Sequence, residues 1–185
     1  MEKDEHFMSE ALKEARKALK KCEVPVGCVV VHGNKIIARA HNRTIRDNDP
    51  TAHAEILAMR KAAKKTKNYR LTSCDIYVTI EPCAMCAGAM VWARIGTLFF
   101  GACDKRAGAC GSIFNIVRNE NLNHRVGIRS GLLASECAGL MKNFFKKKRI
   151  RSQVSLPEGR PTGLPSVARG LGKMEDGSRM MEVKK

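Results

Sequence analysis

The stretch CDIYVTIEPCAMC, residues 74–86, constrains this chain more than any other. Its first seven residues, rich in β-branched side chains, read as a buried strand that runs without a linker into Pro82, a residue suited to a first helical turn. A helix to about Arg94 is expected next, then a second strand in GTLFFGA. Strand–helix–strand of this length implies parallel pairing, with helices packed on both faces of a sheet. Cys83 to Cys103 is 21 residues with Arg94 as its single charge, which is long enough to suggest a bilayer span. Gly96 and the β-rich run after it break that segment into a buried helix and a strand, so no membrane association is expected.

The remaining elements fit around this unit. Residues 4–21 place Phe7, Ala11, Leu12, Ala15, Ala18 and Leu19 on one stripe, as an amphipathic helix does. VPVGCVVVH and KIIARAH flank Gly33-Asn34, the signal of a two-residue hairpin. A polar loop, NRTIRDNDPT, leads to a helix ending near Lys65. A Gly-containing stretch to about His124 and a short strand, RVGIRSG, precede a last helix from about Leu133 to Arg149. An antiparallel hairpin beside a parallel unit makes the sheet mixed and the class α/β. From Ser152 onward the composition turns to Pro and Gly without apolar periodicity, so a folded domain over 1–151 and a disordered tail over 152–185 are expected.

Charge and cysteines narrow the company the chain keeps. Its 34 Lys+Arg against 18 Asp+Glu give a net +16, which points to nucleic acid or another anionic partner rather than to a fold. The cations cluster in RKAAKKTKNYR, 60–70, and KKKRIR, 146–151. A solvated basic surface without a partner is the plainer reading of the charge alone. The eight cysteines are scattered through apolar elements, and the N-terminus has no apolar signal core, so a reduced cytoplasmic chain is expected rather than a disulfide framework.

Cys83 and Cys86, at i and i+3 after Pro82, share a helix face whose positive end favours thiolates. Two thiolates and one imidazole bind zinc with a fourth position left open, the arrangement of catalytic rather than structural sites. A zinc ribbon would need a second ligand pair, which the other six cysteines do not supply. A thioredoxin-type redox pair also places C-x-x-C after a strand. Neither accounts for His53-x-Glu55 in PTAHAEILAM, 50–59, where two residues at i and i+2 of a helix would point about 200° apart and could not share a site.

The segments T-A-H-A-E, T-I-E-P-C-A-M-C-A-G-A-M, R-I-G, F-G-A-x-D and N-H-R-V resemble the bacterial tRNA-specific adenosine deaminases of the cytidine-deaminase-like superfamily, over about residues 4–150. The resemblance implies a three-layer α/β/α fold with a mixed five-stranded sheet. It implies one Zn2+ per subunit held by His53, Cys83 and Cys86, with Glu55 as the catalytic acid and base. It further implies a base pocket of Val26, Asn42 and the backbone of Ala54. Asp104, Asn123, His124, Phe145 and Arg149 match positions near the anticodon loop. The implied activity is hydrolysis of adenosine to inosine at the wobble position of a tRNA anticodon, by a homodimer. Each outer residue has a plainer role open to it: Phe145 in the core, His124 on a backbone group, Arg149 at a solvated helix end. Trp92 departs from the smaller or polar residue usual there, near an expected subunit contact.

Two other functions fit part of the pattern. A cytosine, guanine or nucleoside deaminase would use the same zinc motif, although a small substrate needs no basic surface. A non-catalytic zinc-stabilised RNA-binding module would have no use for Glu55.

Overall fold

The computed structural model describes residues 2–154, which form α1 (Glu2–Lys20), β1 (Gly27–His32), β2 (Lys35–His41), α2 (Thr44–Asp47), α3 (Ala54–Thr66), β3 (Cys74–Ile80), α4 (Ala84–Trp92), β4 (Thr97–Ala102), β5 (Gly127–Ser130) and α5 (Ala134–Val154). The tail expected over 152–185 lies outside the described residues from 155 onward. Gly33 and Asn34 both have positive φ, 53° and 65°, as a type I′ turn requires, and the turn's twist matches the two strands it joins.

The strand order is β2-β1-β3-β4-β5. β1 runs antiparallel to β2 and β3, whereas β4 runs parallel to both β3 and β5, so the sheet is mixed as expected. Alternate residues of each strand serve opposite layers. On one face Val29, Val31, Tyr77 and Phe99 pack against Phe7, Met8 and Leu12 of α1 and Cys137 of α5. The rings of Tyr77 and Phe99 stack there at 4.3 Å. On the other face Cys28, Val30, Ile76, Val78 and Leu98 meet Met59 of α3 and Met90 of α4. Met8, Val29, Ile76 and Leu98 are fully buried, each stabilising the fold by about 1.5–3 kcal/mol. These faces make the three-layer α/β/α architecture.

Several boundaries differ from the sequence reading for local reasons. The polar loop after β2 contains the one-turn helix α2, whose first amides are accepted by Glu23 from 22 and 23 residues upstream. Pro82 precedes α4 rather than opening it, because Cys83 is the N-cap. The last helix continues past Arg149 to Val154. Between β4 and β5 the chain crosses over in parallel through residues 103–126, which carry only isolated bridges.

β3 and β4 end side by side, with Glu81 N–H donating to the Ala102 carbonyl at 2.8 Å. The C-terminal ends of parallel strands are where open α/β sheets place their ligands. Helix α1 lies so close to β1 that a Cβ at Gly27 would overlap Ala11 O and Ala15 N, both backbone atoms. Gly27→Ala is therefore expected to cost about 3 kcal/mol in urea unfolding. Gly139→Ala, in α5 with nothing within 4 Å of the added carbon, is expected to stabilise by up to about 1 kcal/mol. Equal effects at the two positions would contradict this packing.

Candidate active site

Each of the two motifs places its first residue at a helix cap. His53 is the N-cap of α3 and Cys83 that of α4, with extended backbones (φ −71°, ψ 151° and φ −73°, ψ 173°), and neither side chain makes a capping hydrogen bond. A cap residue lies outside the 100° helical progression, so His53 and Glu55 escape the opposition that their spacing implies. The capping duty His53 forgoes is taken by Asn42, whose Oδ1 accepts the Ala54 N–H at 2.8 Å. The imidazole is thereby free to face across to α4.

His53 Nδ1 lies 3.7 Å from Cys83 Sγ and 3.6 Å from Cys86 Sγ, and the donor atoms of all three residues fall within 4.8 Å of one another. A tetrahedral zinc with Zn–S about 2.3 Å and Zn–N about 2.0 Å separates sulfur from nitrogen by about 3.6 Å. The donor set and its spacing therefore fit zinc. No other such group of His, Cys, Asp or Glu occurs among the described residues.

The electrostatics single out Cys83 as the thiolate, while the hydrogen bond with Cys83 and burial push the Cys86 thiol up. The Cys83 thiol is brought down to about 4 by hydrogen bonding to Cys86, outweighing its partial burial, with His53 assisting. His53 is raised, chiefly by its hydrogen bond with Cys83. Two helix N-termini add their partial positive charge at this point. Glu55 is 4% exposed, and its Oε2 is buried with no hydrogen-bond partner among the described residues. Burial pushes its carboxyl above the ordinary 4.5 for glutamate. An unsatisfied buried carboxylate oxygen costs the fold about 1–3 kcal/mol or more, which is the mark of a group held for a partner yet to arrive.

His53, Glu55 and Cys83 line a cleft of about 880 Å³, with Cys86 fully buried. Val26 and Asn42 line it, as do Asp104, Phe145 and Arg149 from the outer set. Ala54 is buried beside it with its N–H already given to Asn42. Asp104 also shapes its own loop, accepting Arg106 N–H at 2.9 Å and Ala107 N–H at 3.3 Å. Phe145 is 47% exposed, and the adjacent Phe144, not Phe145, closes the core. Asn123 and His124 are not brought to the cleft. They precede β5 at the opposite end of the parallel strands, and His124 Nε2 bonds the Ile95 carbonyl at 2.7 Å, the plainer of its two roles. Sequence reasoning missed Thr44, Cys103, Lys105, Arg106 and Lys142, which also line the cleft. It missed Glu23 and Glu81 too, buried acids that no local pattern separates from surface ones.

The description "cytidine and deoxycytidylate deaminase zinc-binding region" matches residues 1–102. The tRNA-specific adenosine deaminase of Bacillus subtilis is 43% identical over 155 residues, 84% of this chain and 96% of that one. The protein of the same description from Haemophilus influenzae is 46% identical over 152 residues, 82% and 88% of the two chains. A solved structure from studies of A-to-I editing by tRNA deaminases at the wobble position of transfer RNA superposes with a TM-score of 0.71. It is 45% identical and covers 73% of this chain and 98% of that one.

Metal content separates donor from neighbour. After dialysis, His53→Ala and Cys86→Ala are expected to lose the metal measured in the wild type by plasma mass spectrometry, and Glu55→Gln to retain it. Loss of zinc from Glu55→Gln would place the carboxylate among the ligands instead.

Proposed function

The chain belongs to the tRNA-specific adenosine deaminases, within the zinc-binding cytidine and deoxycytidylate deaminase family, and we propose that it converts adenosine to inosine at the wobble position of a tRNA anticodon with Glu55 as its proton carrier. His53, Cys83 and Cys86 would hold the zinc. When bound, zinc supplies Lewis-acid activation of the attacking water. The observation that carries the assignment is the unpartnered Glu55 Oε2, on a residue lining the same cleft as His53 and Cys83.

Glu55 takes a proton from the attacking water and delivers it to N1 of adenine as oxygen adds to C6. It then carries the second proton to the exocyclic amine, and the C6–N bond breaks to release ammonia. Adenosine and water are consumed; inosine and ammonia leave. A carboxyl with a raised pKa suits both directions of transfer near neutral pH.

A base inside a folded RNA reaches such a site only by leaving its stack. Val26 supplies an apolar wall and Asn42 a polar edge for the extruded ring. Lys105, Arg106, Lys142 and Arg149 line the same cleft, where cations meet phosphates, and the half-exposed Phe145 ring beside them offers a stacking surface. A small-molecule deaminase would not need this cationic wall, and a purely structural zinc module would not leave a buried carboxylate unsatisfied. The reading extends to a homodimer, supported by exposed apolar side chains that a partner subunit would cover: Met85 and Trp92 (75% exposed) on α4, and Ile113 and Phe114 after β4. It also places the protein in the cytoplasm, where its tRNA substrate is found. All eight cysteines are free thiols, and no helix among the described residues is long and apolar enough to cross a membrane.

Sequencing of an anticodon stem-loop RNA after incubation is expected to read the wobble adenosine as G with wild type. Glu55→Ala should lower the rate by roughly 10²–10⁴. Equal turnover of free adenosine would contradict RNA as the substrate. Because Glu55 must start as the base and its pKa lies above 4.5, activity should fall as pH drops through that raised value. The acid limb of the kcat/KM profile is expected above the ordinary glutamate range; a limb at or below 4.5 would remove Glu55 from this role.

A further inference from the structure

Two other buried acids lie at this cleft, Glu81 in its lining and Glu23 bonded to Thr44, which lines it, and neither takes part in the chemistry. Glu81, 3% exposed, accepts the N–H groups of Asp104, Cys110 and Ser112, each at 3.0 Å, together with the Ser112 hydroxyl. Glu23, 1% exposed, accepts Arg46 N–H at 2.7 Å, Ile45 N–H at 3.2 Å and the Thr44 hydroxyl at 3.4 Å. One carboxylate thus gathers the segment 104–112, and the other gathers 44–46. Both segments line the cleft, through Asp104, Lys105, Arg106 and Ala107 on one side and Thr44 on the other.

Apolar burial does not fix the parts of these segments that reach the cleft: Lys105, Arg106, Ala107, Ile45 and Arg46 are exposed, whereas Ala109 and Cys110 anchor the far end of 104–112 in the core. One belongs to a four-residue helix and the other to a crossover with no regular element. Water could satisfy the amides of Ser112, Ile45 and Arg46 at the surface, so hydrogen bonding alone does not call for a carboxylate beneath them. A buried carboxylate does something water does not: it holds several amides of one segment at fixed mutual positions, through charge-assisted bonds stronger than neutral ones. Contact around Glu81 is close enough that a Cβ at Gly108 would overlap its carboxyl group.

We propose that Glu81 and Glu23 are positioning residues that hold the two rims of the cleft in the RNA-receiving arrangement before substrate arrives. The inference rests on the deaminase reading above. Preorganised rims spare the ordering cost that mobile ones would bear on binding. Removing either clamp should therefore weaken substrate capture while leaving the zinc donors and Glu55, carried by α3 and α4, in place.

The test uses the full zinc-loaded chain, comparing wild type, Glu81→Gln and Glu23→Gln by amide hydrogen exchange and by steady-state kinetics on an anticodon stem-loop RNA. Glu81→Gln is expected to lose protection at 104–112 alone and Glu23→Gln at 44–46 alone. KM should rise about tenfold in each, with kcat changed less than about threefold and zinc content unchanged. A variant that is merely less folded would lower the apparent kcat at constant KM, and that result overturns the proposal. So does unchanged protection. Should Glu81→Gln fail to fold, Ser112→Ala decides for that rim, since it removes one donor and keeps the charge: raised KM with local exchange supports the clamp, wild-type values refute it. Absence of inosine with the wild type would sink the deaminase reading, and the exchange data would then decide on their own whether the acids hold the rims.

Discussion

Two helix N-termini, those of α3 and α4, open onto one point at the C-terminal ends of β3 and β4, and the chemistry of the molecule depends on that convergence. It assigns the cap positions to His53 and Cys83 and so turns their side chains across the gap rather than along their own helices. It adds partial positive charge where thiolates must be stable. It also buries the next turn of α3, and Glu55 with it. The sheet makes the convergence possible because β2 and β3, each antiparallel to β1, run in the same direction and end on the same side. α3 follows β2 through α2, and α4 follows β3.

The buried glutamates show how one residue type is given different duties by its surroundings. Glu14 is held below its ordinary pKa: burial raises it, but hydrogen bonds from Lys17 and His41 prevail. In Glu81 burial is likewise overcome, here by Ser112, Asp104 and Cys110. Only Glu55 is raised among these three, chiefly by burial, and its Oε2 has no hydrogen-bond partner among the described residues. A fully satisfied acid is locked in its ionised form, and an unsatisfied one can exchange its proton. The same burial therefore yields scaffolding in one place and acid–base chemistry in another.

Much of this was legible in the sequence where the determining contacts are local. Gly33-Asn34 set the hairpin, residues 74–80 the buried strand, and His53-x-Glu55 with Cys83-x-x-Cys86 the donor set. Where the determinants are distant, the sequence was silent. α2 exists because Glu23 caps it from beyond β1 and β2, and nothing within 44–47 announces that. The rim at 104–112 takes its shape from Glu81, at the end of the neighbouring strand. Asn123 and His124 illustrate the converse: a motif match placed them near substrate, yet in this chain His124 is spent on the Ile95 carbonyl at the far end of the sheet. Phe145, placed near substrate by the same match, does line the cleft, while Phe144 closes the core; a one-residue step on a helix turns a side chain by 100°, and no pattern in FFKKKR alone says which ring faces inward.

The deaminase chemistry needs three protein donors around the metal, and not four. Zinc K-edge X-ray absorption on the full chain measures this directly. Two sulfurs at about 2.3 Å, one imidazole nitrogen at about 2.0 Å and a fourth, light scatterer at a similar distance are expected. A third sulfur or a second imidazole in the shell would close the position that the chemistry requires and would refute it.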